Sequence, residues 1–388
     1  MRLFLRALII LAVTAGLYVA ADAAFGYFMF RSPASLRDPA QVPAYRGQPY
    51  VSADFLAEAR REPGEWRQIY GTRLITPPEF HGRYFNVDHL PPTGNLYRRT
   101  VNPAAGKPKL VTVLLLGGST VYGPEVPDEL TLASLLSRRL NELDHGQAYR
   151  VYNAGVFAAD SLQERDRLAY ELERGLKPDI VISFGGGMDI VDGVYQARPG
   201  APAAFLESRS GIRGFLHRVL PLNIYHWLME RASEAAARSH AKETPSHLSK
   251  PVEVVHLTSA TVQAWFDNQL AMAKLSQAKG IRFISILQPT PYSSPFDHPM
   301  PDIPYVRALT ESEWPGLGAI AAGVQQDLSA ESARLRNQGV EAIDLSDAFR
   351  GKTENVFVDV GHLNAAGHRI LANAMAQAIL RPAAASNP

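Results

Sequence analysis

Two periods of hydrophobic residues run along the chain. Five short segments, 110–116, 150–153, 179–184, 282–287 and 340–345, are predicted as strands; 110–116 is apolar except for Thr112, as a strand buried on both faces should be. Between them, apolar residues recur at helical spacing. Leu130, Leu135, Leu136, Leu140 and Leu143 predict a helix over 130–143. The pattern Ser161-x-x-Glu164 predicts a capping box opening a helix that Gly175 closes. Val262, Phe266, Leu270 and Ala273 share one side of a helix over 261–279, stopped by Gly280, and further helices are predicted over 320–337 and 365–380. Parallel strands need crossovers, so this alternation predicts a three-layer α/β/α domain with a flavodoxin-like parallel sheet, over 109–388.

Three stretches lie outside that pattern. Residues 32–108 are rich in Pro, Arg and aromatics without a sustained period, and read as a collar of short strands and loops. Two insertions are predicted inside the α/β domain. The first, 190–250, holds an aromatic helix around 215–231 and a polar linker-like tract; the second, 288–315, reads as a Pro-rich loop. The aromatic helix reads as core packing or a lid, with a membrane-surface or membrane-complex partner role as the alternative.

The N-terminus adds an address. Residues 7–30 carry a single charge, Asp22. As a helix they would extend about 36 Å, against a hydrocarbon core of roughly 30 Å. Arg2 and Arg6 precede the run, which predicts a single-pass anchor (1–31) with the bulk of the chain outside the cytoplasm and the collar proximal to the membrane. A cleavable signal peptide ending near Ala21-Asp22-Ala23 is the competing reading.

Composition then removes whole classes of function. Lys+Arg 39 against Asp+Glu 38 leaves +1, so there is no basic field to hold nucleic acid. Cys 0 removes disulfides, thiolate zinc sites, iron–sulfur clusters and a cysteine nucleophile. Neither G-x-G-x-x-G nor G-x-x-x-x-G-K-[ST] occurs. His81, His89 and His298 are scattered beside Asp88 and Asp297 without an H-x-x-x-H pair, so no metal and no cofactor is expected.

Ligands of parallel sheets bind outside the carboxyl ends of the strands. Past the first predicted strand stands Gly117-Gly118-Ser119-Thr120, and past the second Asn153-Ala154-Gly155. Past the third stands Gly185-Gly186-Gly187-Met188-Asp189, and past the fifth Asp359-Val360-Gly361-His362. A hydroxyl, carboxylates, an imidazole and glycine-rich backbone on one edge are the inventory of acyl transfer. Taken singly, Ser119 also reads as a helix cap, Asp359 and His362 as a surface ion pair, and Asp189 as a structural carboxylate.

Taken together, these segments resemble the four blocks of the SGNH/GDSL hydrolase family. Gly117-Gly118-Ser119 stands for Gly-Asp-Ser, and Asn153 to Ala158 for N-x-G-x-x-G with Ala158 in place of the last glycine. Gly186 to Asp189 stands for G-x-N-D with Met188 in place of Asn, and Asp359-x-x-His362 for the last block. The resemblance covers 111–380, and 82–103 is similar to the segment leading into membrane-anchored bacterial members, which makes the membrane the bacterial inner membrane and the outside the periplasm. It implies Ser119 as nucleophile, His362 as base and Asp359 as its orienting acid. It implies an oxyanion site from the N–H of Ser119, the backbone near Gly155 and Ala158, and a side-chain amide at 188, which Met188 cannot supply. The expected substrate is an ester, an acylated (acetylated) envelope or secreted polysaccharide, for a hydrolase or O-acyltransferase. The alternative is a degraded domain serving as a binding or structural subunit of a membrane complex.

Overall fold

The computed structural model describes residues 42–61, 67–68, 74–103, 109–196, 251–293, 300–313 and 317–381. The expected anchor at 7–30 and the aromatic helix at 215–231 lie outside these residues. Among the described residues, no helix is long and apolar enough to cross a membrane. The chain divides into two compact units, Met1–Ala34 with Tyr195–Val255 and Ser35–Val194 with His256–Pro388. The fold below is that of the second.

Its strands are β1 (Arg67–Gln68), β2 (Ile75–Thr76), β3 (Phe80–His81), β4 (Asn86–Leu90), β5 (Asn95–Arg98), β6 (Lys109–Gly117), β7 (Gln147–Gly155), β8 (Ile180–Gly185), β9 (Arg282–Leu287) and β10 (Glu341–Asp344). β1 and β2 form a separate antiparallel ribbon. The rest form one sheet in the order β10-β9-β8-β6-β7-β5-β4-β3. The five strands from β6 onward are mutually parallel. In chain order they lie 2-1-3-4-5, the flavodoxin-like arrangement, with its switch point between β6 and β8.

The expected all-parallel sheet needs one correction. β3, β4 and β5 join it antiparallel, with Arg98 of β5 opposite Asn153 of β7. Only the last part of the stretch expected as a collar, β3 to β5, continues the sheet, so the predicted boundary at 108 falls inside it.

The helices are α1 (Ala53–Arg61), α2 (Ser119–Tyr122), α3 (Leu132–Leu143), α4 (Ser161–Glu173), α5 (Gly187–Gln196), α6 (Pro251–Gln277), α7 (Asp302–Glu313), α8 (Leu317–Asn337) and α9 (Ala365–Leu380). Side chains alternate across β6. Val113 and Leu115 pack with Leu136 and Leu140 of α3 and Leu371 and Met375 of α9. Leu114 and Leu116 pack with Leu168 of α4, Trp265 of α6 and Leu328 of α8. Both faces of the strand are thus buried, which accounts for its unbroken apolar run.

Three local expectations are corrected. The N-cap of α4 is Asp160, whose side chain accepts the Gln163 N–H. Glu164 does not close a capping box but is buried against the Ser183 hydroxyl, in room left by Gly185, where a Cβ would lie 2.5 Å from Glu164 Oε1. The insertion expected from 190 starts inside α5, which runs on to Gln196. The expected loop 288–315 contains α7, because Pro304 sits in its first turn, where a missing N–H costs no intrahelical bond.

Candidate active site

Ser119 is the first residue of α2, reached directly from the buried strand β6 through Gly117 and Gly118. The turn is clamped against β7. Val156 N–H donates to the Gly117 carbonyl at 3.0 Å, and Asn153 Nδ2 donates to the Val121 carbonyl at 2.8 Å. Gly155 is required by contact: a Cβ there would stand 2.3 Å from the Tyr122 nitrogen.

The imidazole comes from the loop between β10 and α9. The loop closes on itself as Val358 N–H donates to the His362 carbonyl and Asn364 N–H to the Val356 carbonyl, both at 2.9 Å. Asp302 anchors it by accepting the Val356 and Phe357 N–H groups, each at 2.6 Å. Asn364 caps α9. Thr120 Oγ1 donates to the Gly361 carbonyl at 2.8 Å, tying this loop to the residue after Ser119. The N-terminal segment braces its far side: Asn364 Nδ2 donates to the Ala44 carbonyl, and Val42, Ala44 and Tyr45 pack on Val358.

These constraints bring the three expected residues together. Ser119 Oγ lies 2.8 Å from His362 Nε2, and Asp359 Oδ2 lies 2.6 Å from His362 Nδ1. The other Asp359 oxygen accepts the Gly361 and His362 N–H groups at 2.9 and 2.8 Å, so one carboxylate fixes both the turn and the ring. Asp359 dictates the tautomer: Nδ1 carries the proton toward it, and Nε2 is free to accept from Ser119.

The electrostatics follow. Burial would lower the His362 pKa, but the Asp359 carboxylate and, behind it, Glu125 outweigh this and raise it to about 9. Burial likewise works against the Asp359 charge, but His362 and the two turn N–H groups hold its carboxyl below the usual range. The rise makes the ring a stronger base than a free imidazole, and the neutral form, whose Nε2 can accept from Ser119, is favoured by alkali.

Glu125 was not singled out in the sequence. It lies in the Gly123-Pro124-Glu125-Val126-Pro127 loop just after α2, with Oε1 3.6 Å from His362 Nδ1 and Oε2 accepting the Tyr45 hydroxyl. A carboxylate six residues after the candidate nucleophile was the only local hint; Tyr45 reaches it purely through tertiary structure.

The oxyanion expectations are met unevenly. The Ser119 N–H has no intrahelical acceptor, being the first of α2. Ala158 has a φ of +54° and is the one non-glycine with positive φ among the described residues. The position therefore demands the backbone a glycine adopts freely, and alanine accepts it at a cost of roughly 1–2 kcal/mol. The expectation of Gly155 as a donor is corrected: its N–H is already given to Asn153 Oδ1 at 3.0 Å. Met188, second residue of α5, borders the nucleophile turn, its Cγ 3.7 Å from where a Cβ on Gly118 would stand. Its thioether offers no hydrogen to a developing oxyanion.

Other polar residues near the edge have structural partners. Asp189 Oδ1 accepts the Ser161 hydroxyl at 2.5 Å, and burial raises its pKa to about 7. His81 and His89 face Glu79 in exposed pairs on the antiparallel strands, and His298 lies outside the described residues. Among the described residues, the one grouping of metal-ligand types is Glu125, Asp359 and His362 itself, whose Nδ1 already serves Asp359.

No protein-family model matches the chain. No curated protein matches it in sequence. Solved structures do resemble it. A member of the lipolytic G-D-S-L family from Veillonella parvula is 12% identical, with 70% of this chain and 100% of that one covered and a TM-score of 0.38. A lipase/acylhydrolase from Enterococcus faecalis is 16% identical, with 69% and 95% covered and a TM-score of 0.37. A mutant of an acetyl-xylooligosaccharide esterase from Geobacillus is 13% identical, with 74% and 100% covered and a TM-score of 0.38.

Proposed function

We propose that the protein is a serine ester hydrolase or O-acyltransferase of the SGNH/GDSL type. The observation that carries this reading is the hydrogen-bonded relay from Ser119 Oγ through the His362 ring to Asp359, at 2.8 and 2.6 Å. In this reading His362 takes the Ser119 proton as Oγ attacks an ester carbonyl. It returns that proton to the departing alcohol, leaving an acyl-enzyme. Water, or an acceptor hydroxyl in a transferase, then gives its proton to His362 and takes the acyl group, and His362 hands that proton to the departing Ser119 Oγ, restoring the starting relay. The Ser119 and Ala158 N–H groups hold the oxyanion, and with methionine at 188 the site lacks a side-chain donor, a deficit of ~10²–10³ in turnover.

We place the working domain outside the cytoplasm, in the periplasm, held by a single inner-membrane helix over 7–30, from the apolar run behind Arg2 and Arg6. That location and the ester chemistry together favour acyl, particularly acetyl, esters of envelope or secreted polysaccharide as substrate. Met188 supports a second reading, in which the domain has lost turnover and serves as a binding subunit of a membrane complex. Labelling with a fluorophosphonate separates the two. Covalent modification mapped to Ser119, and lost in His362→Ala, is the expected result; an unlabelled, folded protein would overturn the enzyme reading.

A further inference from the structure

Resting on the reading of Ser119, His362 and Asp359 as an acyl-transfer relay, we propose that Glu125, oriented by Tyr45, is a positioning residue that tunes the basicity of His362 as a second carboxylate on the same ring nitrogen as Asp359. The two Glu125 oxygens divide their work. Oε1 stands 3.6 Å from His362 Nδ1, while Oε2 accepts the Tyr45 hydroxyl. Glu125 is 3% exposed and its loop neighbours Gly123, Pro124, Val126 and Pro127 offer no charge. A carboxylate removed from water in that way is costly unless it answers a cation. The cation in reach is the imidazolium that forms when His362 takes the Ser119 proton.

The loop is built to hold this position. Gly123 ends α2 in the left-handed conformation at φ +76°. The buried Arg98 donates to the Val126 carbonyl at 3.1 Å and pairs with Asp128 at 2.8 Å, fixing the residue after Glu125 and the end of the loop. Tyr45 is fixed in turn, because the segment carrying it packs on Val358, one residue before Asp359.

The groups facing Glu125 are Tyr45 and Tyr50 from the N-terminal segment and Asp359 and His362 from the catalytic loop. His362 in turn faces Asp359 and Glu125, and acts on the buried His368 of α9. Burial raises the Glu125 pKa to about 7, the Asp359 charge adds to the rise, and His362 and the Tyr45 hydroxyl oppose it. Its charge is therefore weakly held when the ring is neutral and stabilised when the ring is cationic. The two groups titrate as a coupled pair. Asp359 orients the ring through a short bond; Glu125, a full ångström further away, mainly supplies charge.

The test titrates His362 in the full chain by NMR of 15N-labelled imidazole, with the signal assigned from its loss in His362→Gln, alongside the pH profile of kcat/KM on an aryl acetate. Glu125→Gln keeps the shape and removes the charge. It is expected to lower the His362 pKa, and the acid limb of the profile with it, by about 0.5–1 unit. Glu125→Asp should restore most of the shift. Tyr45→Phe removes a bond that favours the ionised carboxylate, so it should move His362 the same way by less, and it serves as the second variant if Glu125→Gln unfolds. A folded Glu125→Gln, or failing that a folded Tyr45→Phe, that titrates within about 0.2 unit of wild type would overturn the proposal, as would Glu125→Asp shifting as far as Gln. The titration needs no turnover. An inactive protein that shows the shifts refutes the esterase reading and leaves the pairing; an active one without them does the reverse.

Discussion

Replacing Asp359 with Asn changes one atom and should remove nearly all turnover. Asp359 accepts three hydrogen bonds: the Gly361 and His362 N–H groups on Oδ1, and the His362 ring on Oδ2 at 2.6 Å. Asparagine has one acceptor oxygen and one donor NH2. The two backbone donors hold the oxygen on the turn side, which leaves the NH2 aimed at Nδ1. A donor there is satisfied only if Nδ1 is unprotonated, so the neutral ring must carry its proton on Nε2, 2.8 Å from Ser119 Oγ. That nitrogen can no longer accept the nucleophile's proton. The opposite amide orientation would leave NH2 facing two N–H donors and strain the turn. Wrong-tautomer replacements of this kind cost about 10⁴ in kcat, which is roughly 5.5 kcal/mol of barrier. The assay is kcat on an aryl acetate at a pH above the His362 pKa, with a denaturant curve to show that the fold survives. Retention of more than about a tenth of the wild-type kcat by a folded Asp359→Asn protein would refute the orienting role.

Four further outcomes follow from the same geometry. Met188→Asn should raise kcat with little change in KM, by at most ~10²–10³, because a new donor acts mainly in the transition state; a neutral or harmful effect would mean that another group already fills that place. Ala158→Gly should stabilise the full chain by about 1 kcal/mol in a denaturant titration, by relieving the φ of +54°; an unchanged or lowered stability would contradict the strain. Because the folded His362 pKa is raised to about 9, protonation of His362 contributes stability below its unfolded value of about 6.5, lost as pH rises from there through about 9; the depressed Asp359 contributes above its unfolded value and loses its share in acid. His362→Gln should flatten the alkaline part of a stability–pH curve. A reporter fused after Pro388 should be active in the periplasm, and an N-terminus found near Ala24 by mass spectrometry would replace the anchor with a cleaved signal peptide.

The parallel half of the sheet was legible because its strands are buried on both faces, as in the unbroken run of β6. Helix α9 was legible to the residue because Asn364 caps it and the chain turns extended at Arg381 before Pro382. Short strands were expected before 108, but that β3 to β5 join this sheet was not legible. They are two to five residues long, carry Asp88, His89 and Arg98 among apolar neighbours, and exist through pairing with each other and with β7. Helix α7 was hidden by Pro304, whose effect depends on which turn it occupies. The relay itself was legible through the blocks that frame it, although Ser119 and His362 stand 243 residues apart. Glu125 and Tyr45, 80 residues apart, left no such pattern, since a single loop carboxylate and a single tyrosine become a pair only by packing. Gly155 was misread because its role is close approach to α2, which the sequence shows only as a glycine.

The central claim, that Ser119 is a nucleophile activated by His362, is tested most directly by the hydrolysis of an aryl acetate by the purified full chain beside its Ser119→Ala variant. The account predicts saturable turnover that rises with pH toward about 9 and falls to background in Ser119→Ala while the fold is kept. Equal rates for the two proteins, or a wild type no faster than buffer across that pH range, would contradict it.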